Sequence, residues 1–182
     1  MRTIARIDIK NDYVIKGINL EGLRKIGNPI NIVKEYDTKG IDELLIIDSV
    51  ASLYGRNNLF DLIKKIKENI FVPITLGGGI RSLKDIENSL NSGADKVAIN
   101  SMALENPNFL NEAVSNFGES TITVNIEAKN ITKNKWEPYK FCGRDKTDLD
   151  VNDWINEIQN RGCGEILLTS IDKEGTETGF DI

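Results

Sequence analysis

The chain contains no histidine. The side chain best suited to exchanging protons near neutral pH, which is also the commonest transition-metal ligand, is therefore missing. Acid–base chemistry must fall to carboxylates, lysine or tyrosine, and no metal site is expected. Cysteine is almost as scarce: the two present, Cys142 and Cys163, lack the paired spacing of a metal cluster. With no signal peptide in view, both read as free thiols of a reducing, cytoplasmic compartment. No apolar run comes near the ~18 residues of a membrane span, so no membrane partner is expected. The formal charge of −5 argues against a broad nucleic-acid surface, while a local phosphate pocket would be hidden in such a sum.

At 182 residues, 40% hydrophobic and 28% charged, the chain can bury one sizeable core, and a single domain over 1–182 is the default. Short apolar runs alternate with helical patterns: TIARIDI, NPINIVKEYDTKG, ELLIIDS, NNLFDLIKKIKENI, PITLGGG, SLKDIENSLNSG, KVAIN, NPNFLNEAVSNFG, TITVNIE, VNDWINEIQNRG and EILLTS. The strand-like runs are near-continuous Ile, Leu and Val, as parallel strands covered on both faces require. Leu59, Leu62, Ile63 and Ile66 give one helix its apolar stripe. Gly40, Gly93, Gly118 and Gly162 each follow a helical pattern and precede a strand, where a helix C-terminus favours glycine. Ser82, with Asp85 three residues on, predicts a capped helix start. The series amounts to six strands and five helices. Longer loops follow the first strand (10–28) and the fifth (130–147), and in a βα barrel the loops after strands carry the site. Tyr13, Trp136, Tyr139 and Phe141 lie in those loops, where local packing is their expected role.

One short stretch is written twice. Ile7-Asp8-Ile9-Lys10-Asn11 returns as Ile126-Glu127-Ala128-Lys129-Asn130, and GIDELL (40–45) is echoed by GCGEIL (162–167), both roughly 120 residues downstream. Two echoes at nearly one offset indicate a duplicated half. Two halves of that size approach the ~250 residues usual for an eightfold barrel. The expectation is an α/β chain of the (βα)8 TIM-barrel type with only about six βα units present, a first half-barrel over 1–120 and an incomplete second over 121–182.

In their order and spacing, RIDIKNDYVIKG, GIDELLIIDSVAS, TLGGGI, GADKVAIN, ENP, NIEAK, RGCGEILLTSID and EGTETGFD resemble the HisF-like (βα)8 barrels of histidine biosynthesis, the cyclase subunits of imidazole glycerol phosphate synthase. The resemblance covers the whole chain, and the succession of motifs carries it rather than any one of them. It implies a carbon–nitrogen lyase that works without a cofactor beside a glutaminase subunit docked at the N-terminal face of the barrel. With glutamine-derived ammonia, such a subunit turns the phosphoribulosyl formimino carboxamide ribotide into imidazole glycerol phosphate and the aminoimidazole carboxamide ribotide.

The resemblance also assigns residues. The ends of the first and fifth strands present the acid–base pair, here Asp8 and Glu127, so the echo would be the catalytic pair, one member from each half. Chemistry gives an independent reason for two acids: adding ammonia, losing water and closing a ring need protons delivered and removed on both sides of the substrate. The plainer reading is that both accept backbone N–H bonds at strand ends, or pair with Lys10 and Lys129 two residues on. The substrate carries a phosphate at each end. Gly77, Gly78 and Gly79 with Asn100 and Ser101 would surround one, Gly175 and Thr176 part of the other, and Lys16 joins this set. A glycine triplet is equally a tight turn. At the opposite strand ends Arg2, Glu43, Lys96 and Glu165 match a charged gate for ammonia, with Asp95 near the glutaminase, although structural ion pairing at that face is the plainer alternative.

Two positions depart from the resembled pattern. Glu127 stands where the second carboxylate is usually Asp, and Arg6 where Cys is usual. Arg6 lies two before Asp8, points the same way, and needs a partner, for which Glu127 is the candidate. These departures keep open a paralogue that, with its own glutaminase, amidates a nucleotide-linked sugar for surface polysaccharide. A third reading, of another class, is an inactive barrel fragment.

Overall fold

The computed structural model describes residues 1–51 and 59–181, and the chain divides into two compact units, Met1–Ile15 with Lys25–Val97 and Lys16–Arg24 with Ala98–Ile182.

The first holds β1 (Ile4–Lys10), the start of β2 (Tyr13–Ile18), the end of β3 (Glu21–Gly27), α1 (Pro29–Thr38), β4 (Glu43–Asp48), α2 (Phe60–Lys67), β5 (Ile74–Gly77), α3 (Leu83–Asn91) and the start of β6 (Lys96–Ile99). β1 and β4 are parallel, with Ile4 opposite Glu43 and Ile9 opposite Asp48. β4 and β5 are parallel as well, Leu44 facing Ile74 and Ile47 facing Gly77. All of β4 is buried, which is why ELLIID reads as an unbroken apolar run before its terminal acid. On β1, Ile7 and Ile9 join Val33, Ile46, Ile63 and Ile66 in one core. Burying each such side chain stabilises the unit by about 1.5–3 kcal/mol. The two-residue alternation of a strand then puts Arg6 and Asp8 on the opposite face of β1.

Local signals set the helix ends. Asn28 accepts from the backbone of Ile30 and Asn31 just before Pro29 opens α1. Ser82 and Asp85 form the reciprocal cap predicted for α3. Gly40, Gly93, Gly118 and Gly162 all take positive φ, from 76° to 109°, just where helices end. The predicted α2 pattern begins at Asn57 and Asn58, which lie outside the described residues; from Leu59 onward its buried side chains are Leu59, Ile63 and Ile66.

The second unit holds the end of β2, the start of β3 and the end of β6, then α4 (Ser101–Glu105), α5 (Asn108–Phe117), β7 (Ile122–Thr132), β8 (Lys135–Lys140), β9 (Asp145–Lys146), α6 (Val151–Asn160) and β10 (Glu165–Ser170). β7 and β10 run parallel from Thr123 opposite Glu165 to Ala128 opposite Ser170. β7 and β8 are antiparallel, with Glu127 opposite Tyr139. Ile122, Val124 and Ile126 are fully buried on one face of β7, and Thr123, Asn125 and Glu127 are almost as buried on the other.

The six predicted strands and five predicted helices are present among the described residues as β1, β4, β5, β6, β7 and β10 with α1, α2, α3, α5 and α6. The two long connections differ from expectation. They carry strands: β2 and β3 after β1, β8 and β9 after β7. Asn11 (φ 55°) and Asn134 (φ 62°) supply the left-handed residues where the chain reverses, a conformation asparagine tolerates. β3 is exposed along nearly its whole length, so it has no buried stripe for a hydrophobic pattern to reveal. Of the loop aromatics, Trp136 donates its indole N–H to Asp181 at 3.1 Å, and the Lys25 ammonium sits over the exposed Tyr13 ring. No helix among the described residues is long and apolar enough to cross a membrane.

Candidate active site

Asp8 lies near the C-terminal end of β1, opposite Ile47 of β4. Its partner is Arg6, whose Nε and terminal guanidinium nitrogen both reach Asp8 Oδ1 at 3.0 Å. Same-face spacing on a strand brings the two together. Both nitrogens address the same carboxylate oxygen.

The glycine triplet has a structural reason of its own. Gly78 has φ 96°, and a Cβ there would come 2.3 Å from the Asp48 carbonyl oxygen. Asp48 in turn accepts the backbone N–H groups of Val50 and Ala51 at 3.0 and 2.9 Å. The turn after β5 thus presses against the turn after β4, which only a glycine permits. Gly78→Ala is expected to lower stability by about 2 kcal/mol or more in denaturant titration, from the left-handed φ and the backbone contact together. An unchanged midpoint would mean that this close approach relaxes freely. Gly79 also takes a positive φ of 72°.

In the second unit, Glu127 is 3% exposed. Its Oε2 accepts from the Asn100 amide at 3.1 Å and from the Gly143 backbone N–H at 3.0 Å. Asn100 also donates to the Tyr139 carbonyl at 3.1 Å, and its own Oδ1 is buried with no partner among the described residues. Ser101 Oγ accepts from the Phe141 backbone N–H at 3.0 Å. The Lys129 ammonium, offered by the sequence as a partner for Glu127, lies over the Tyr139 ring at 5.7 Å from its centre.

The remaining predicted ligands cluster within that unit. Lys16 pairs with Glu174, and Asn19 donates its backbone N–H to the Glu174 carbonyl at 2.8 Å. Gly175 (φ 73°) sits where a Cβ would strike the Gly17 carbonyl oxygen, so the loop after β10 and residues 16–19 meet backbone to backbone. The Thr176 hydroxyl donates to the Lys173 carbonyl at 2.8 Å. Beside these lies an open cleft lined by Leu20, Lys129, Tyr139, Gly143, Arg144 and Asp172.

At the strand starts of the first unit, Arg2, Glu43 and Lys96 come together. Glu43 Oε2 receives Arg2 at 3.1 Å, Oε1 receives Lys96 at 3.0 Å, and the Thr75 hydroxyl donates to Oε1 at 2.8 Å. Asp95 points elsewhere in the same unit, to Lys67 at 2.9 Å and to the Ile74 backbone N–H at 2.8 Å. Glu165 opens β10 in the second unit, opposite Thr123. Sequence reasoning missed Thr75, Asp48 and Gly143. Thr75 is a polar residue inside the apolar run PITLGGG, which is a readable signal. Gly143 becomes meaningful only once β8 has folded back beside β7, and nothing local announces it.

Comparison with known proteins bears on the entire chain. A family profile described as "Histidine biosynthesis protein" matches residues 2–182. The chain is 50% identical over 182 residues to the imidazole glycerol phosphate synthase subunit HisF of Legionella pneumophila, covering 100% of this chain and 86% of that protein. Against proteins of the same name it is 45% identical in Hydrogenobaculum sp. (strain Y04AAS1) and 41% in Bacillus cereus (strain G9842), each over 181 residues, 100% of this chain and 72% of the relative.

Proposed function

Because the chain belongs to the histidine biosynthesis protein family, whose fold is the (βα)8 TIM barrel, we infer that it is a cyclase subunit of imidazole glycerol phosphate synthase. It uses glutamine-derived ammonia to convert the phosphoribulosyl formimino carboxamide ribotide into imidazole glycerol phosphate and the aminoimidazole carboxamide ribotide. The observation that carries this reading is the pair of strand-end acids. Asp8 stands near the end of β1 under the hold of Arg6, and Glu127 near the end of the parallel β7–β10 pairing under the hold of Asn100 and Gly143. Carboxylates fixed in this way deliver and remove the protons that amine addition, loss of water and ring closure demand, and no metal has to take part. In this reading the half-barrel proposed for 1–120 supplies one acid and the incomplete half proposed for 121–182 the other.

The proposed substrate is a small molecule with phosphate at both ends. In the first unit the left-handed turn of Gly78 and Gly79 is the proposed backbone cradle for one phosphate; in the second Gly175 would offer backbone and Lys16, Ser101 and Thr176 polar side chains, while Asn100 already spends both amide protons on Glu127 and the Tyr139 carbonyl. On binding, Lys16 would exchange Glu174 for a phosphate oxygen. The relatives are named as subunits, and the partner proposed here is a glutaminase at the strand-start face, with Arg2, Glu43, Lys96 and Glu165 as the ammonia gate and a cytoplasmic setting for the pair.

The test is direct. Purified protein given the ribulosyl substrate and ammonium should release both products with a kcat in the ordinary enzyme range of about 1 to 10³ per second, and glutamine should replace ammonium once the glutaminase is added. No product, with ammonia transferred instead to a nucleotide-linked sugar, would move the protein to polysaccharide amidation. Inertness toward both substrates would leave the non-catalytic reading.

A further inference from the structure

We propose that the turn joining β8 to β9, together with Asn100, is the device that positions Glu127, so that Gly143 and Asn100 act as positioning residues for that acid; the inference rests on the catalytic reading of Glu127. Three consecutive residues of this turn, Phe141, Cys142 and Gly143, have φ of 52°, 57° and 76°. Two of the three are not glycine, and side-chain-bearing residues enter this region rarely and singly. The run aims the Gly143 N–H back toward β7, where it meets Glu127 Oε2 at 3.0 Å.

The turn is pinned on several sides. The Phe141 N–H donates to Ser101 Oγ at 3.0 Å, and Arg144 donates its N–H to the Lys140 carbonyl at 3.0 Å. A Cβ on Gly143 would lie 3.2 Å from side chains of both Ile171 and Leu20. Asn100 adds the second donor to Oε2 and spends its other bond on the Tyr139 carbonyl, directly opposite Glu127 in the β7–β8 register. The orientation of the Asn100 amide is forced by its neighbours. Turning it over would set its oxygen against a carboxylate and a carbonyl, two acceptors, whereas the present orientation leaves only Oδ1 without a partner among the described residues.

The carboxylate therefore reaches its holders at the full length of a glutamate. Aspartate at the same place carries the same charge but falls one methylene short of the turn, and displacements near 1 Å can cost about 100-fold in rate. Glutamine keeps the reach and an acceptor oxygen but cannot exchange the proton.

Three variants of the purified protein test this: Glu127→Asp, Glu127→Gln and Asn100→Ala. Ammonia-dependent kcat and KM are measured, together with amide hydrogen exchange at Gly143, a readout that needs no turnover. Glu127→Asp is expected to lose about 100-fold in kcat with KM within a few-fold, and to speed Gly143 exchange by about 10-fold as the charge-assisted bond is lost. Glu127→Gln should stay protected at Gly143 and yet be inactive. Asn100→Ala should lower kcat with KM retained. The inference is overturned if Glu127→Asp works as well as the natural protein or leaves Gly143 exchange unchanged, and Asn100 loses its role if Asn100→Ala raises KM alone, as a phosphate ligand would. Inactivity of the natural protein, with the exchange pattern as expected, would strike the catalytic reading and leave the positioning of Glu127 standing.

Discussion

Asp8→Asn is expected to lower ammonia-dependent turnover by about 10²- to 10⁴-fold, the range that a positioned proton-transfer group supplies, while substrate affinity changes little. The amide has the size and shape of the acid, and its oxygen can still accept from Arg6, which holds Asp8 Oδ1 with two nitrogens at 3.0 Å. β1 should not move, because Ile7 and Ile9 anchor its other face in the core. What the variant lacks is the carboxylate's capacity to take and return a proton. Single-turnover kinetics should find the chemical step slowed, and equilibrium titration with the substrate should give a dissociation constant within a few-fold of the natural protein. Weakened binding with turnover retained would make Asp8 a binding group and would remove the echo's catalytic meaning. Arg6 makes the variant more informative, since a guanidinium beside a neutral amide forms an ordinary hydrogen bond instead of a charged pair. If Asp8→Asn unfolds the first unit, the ion pair was structural first.

What could be read from the sequence follows the range of the interactions concerned. The βα series was legible because β4 is buried on both faces and α2 on one, so burial is printed as ELLIID and as the spacing of Leu59, Ile63 and Ile66. The cap of Ser82 by Asp85 and the glycines after helices are local chemistry within a few residues. The two acids were found through repetition, and the resemblance gave that repetition a role. The strands β2, β3, β8 and β9 were not legible: β3 is exposed and β9 is two residues long, so neither leaves a hydrophobic period. The internal partners of the acids were equally out of reach. Gly143 and Asn100 are far from Glu127 in sequence; the folding of β8 along β7 brings Gly143 to its Oε2, and Asn100 reaches the same oxygen from the end of the neighbouring β6. Arg6 shows the other side of this rule, since its bond to Asp8 spans two residues of one strand and alternation alone aligns them.

Glu43→Leu should be the most destabilising single change at the strand-start face, about 3 kcal/mol in denaturant titration, because removing one partner from a buried ion pair costs far more than the pair contributes. The carboxylate is 3% exposed and gathers Lys96, Arg2 and the Thr75 hydroxyl. Its partners are not equal. Lys96 is 17% exposed and sits at 3.0 and 3.2 Å from the two oxygens, whereas the Arg2 side chain is 58% exposed and its bond is open to water and salt. Arg2→Ala should therefore cost under about 1 kcal/mol. In Glu43→Leu the Lys96 ammonium loses its bonds of 3.0 and 3.2 Å to Glu43 while staying largely out of water. Adding Lys96→Met removes that charge as well, so the double variant should recover much of the loss, a coupling that a double-mutant cycle reads directly. Activity then separates gate from scaffold. With the glutaminase bound, a gate predicts that the double variant keeps ammonium-dependent turnover, which draws on Asp8 and Glu127, and loses turnover driven by glutamine. If both rates fall in step with stability, or neither changes, Arg2, Glu43 and Lys96 hold the strand starts together and ammonia enters by another route.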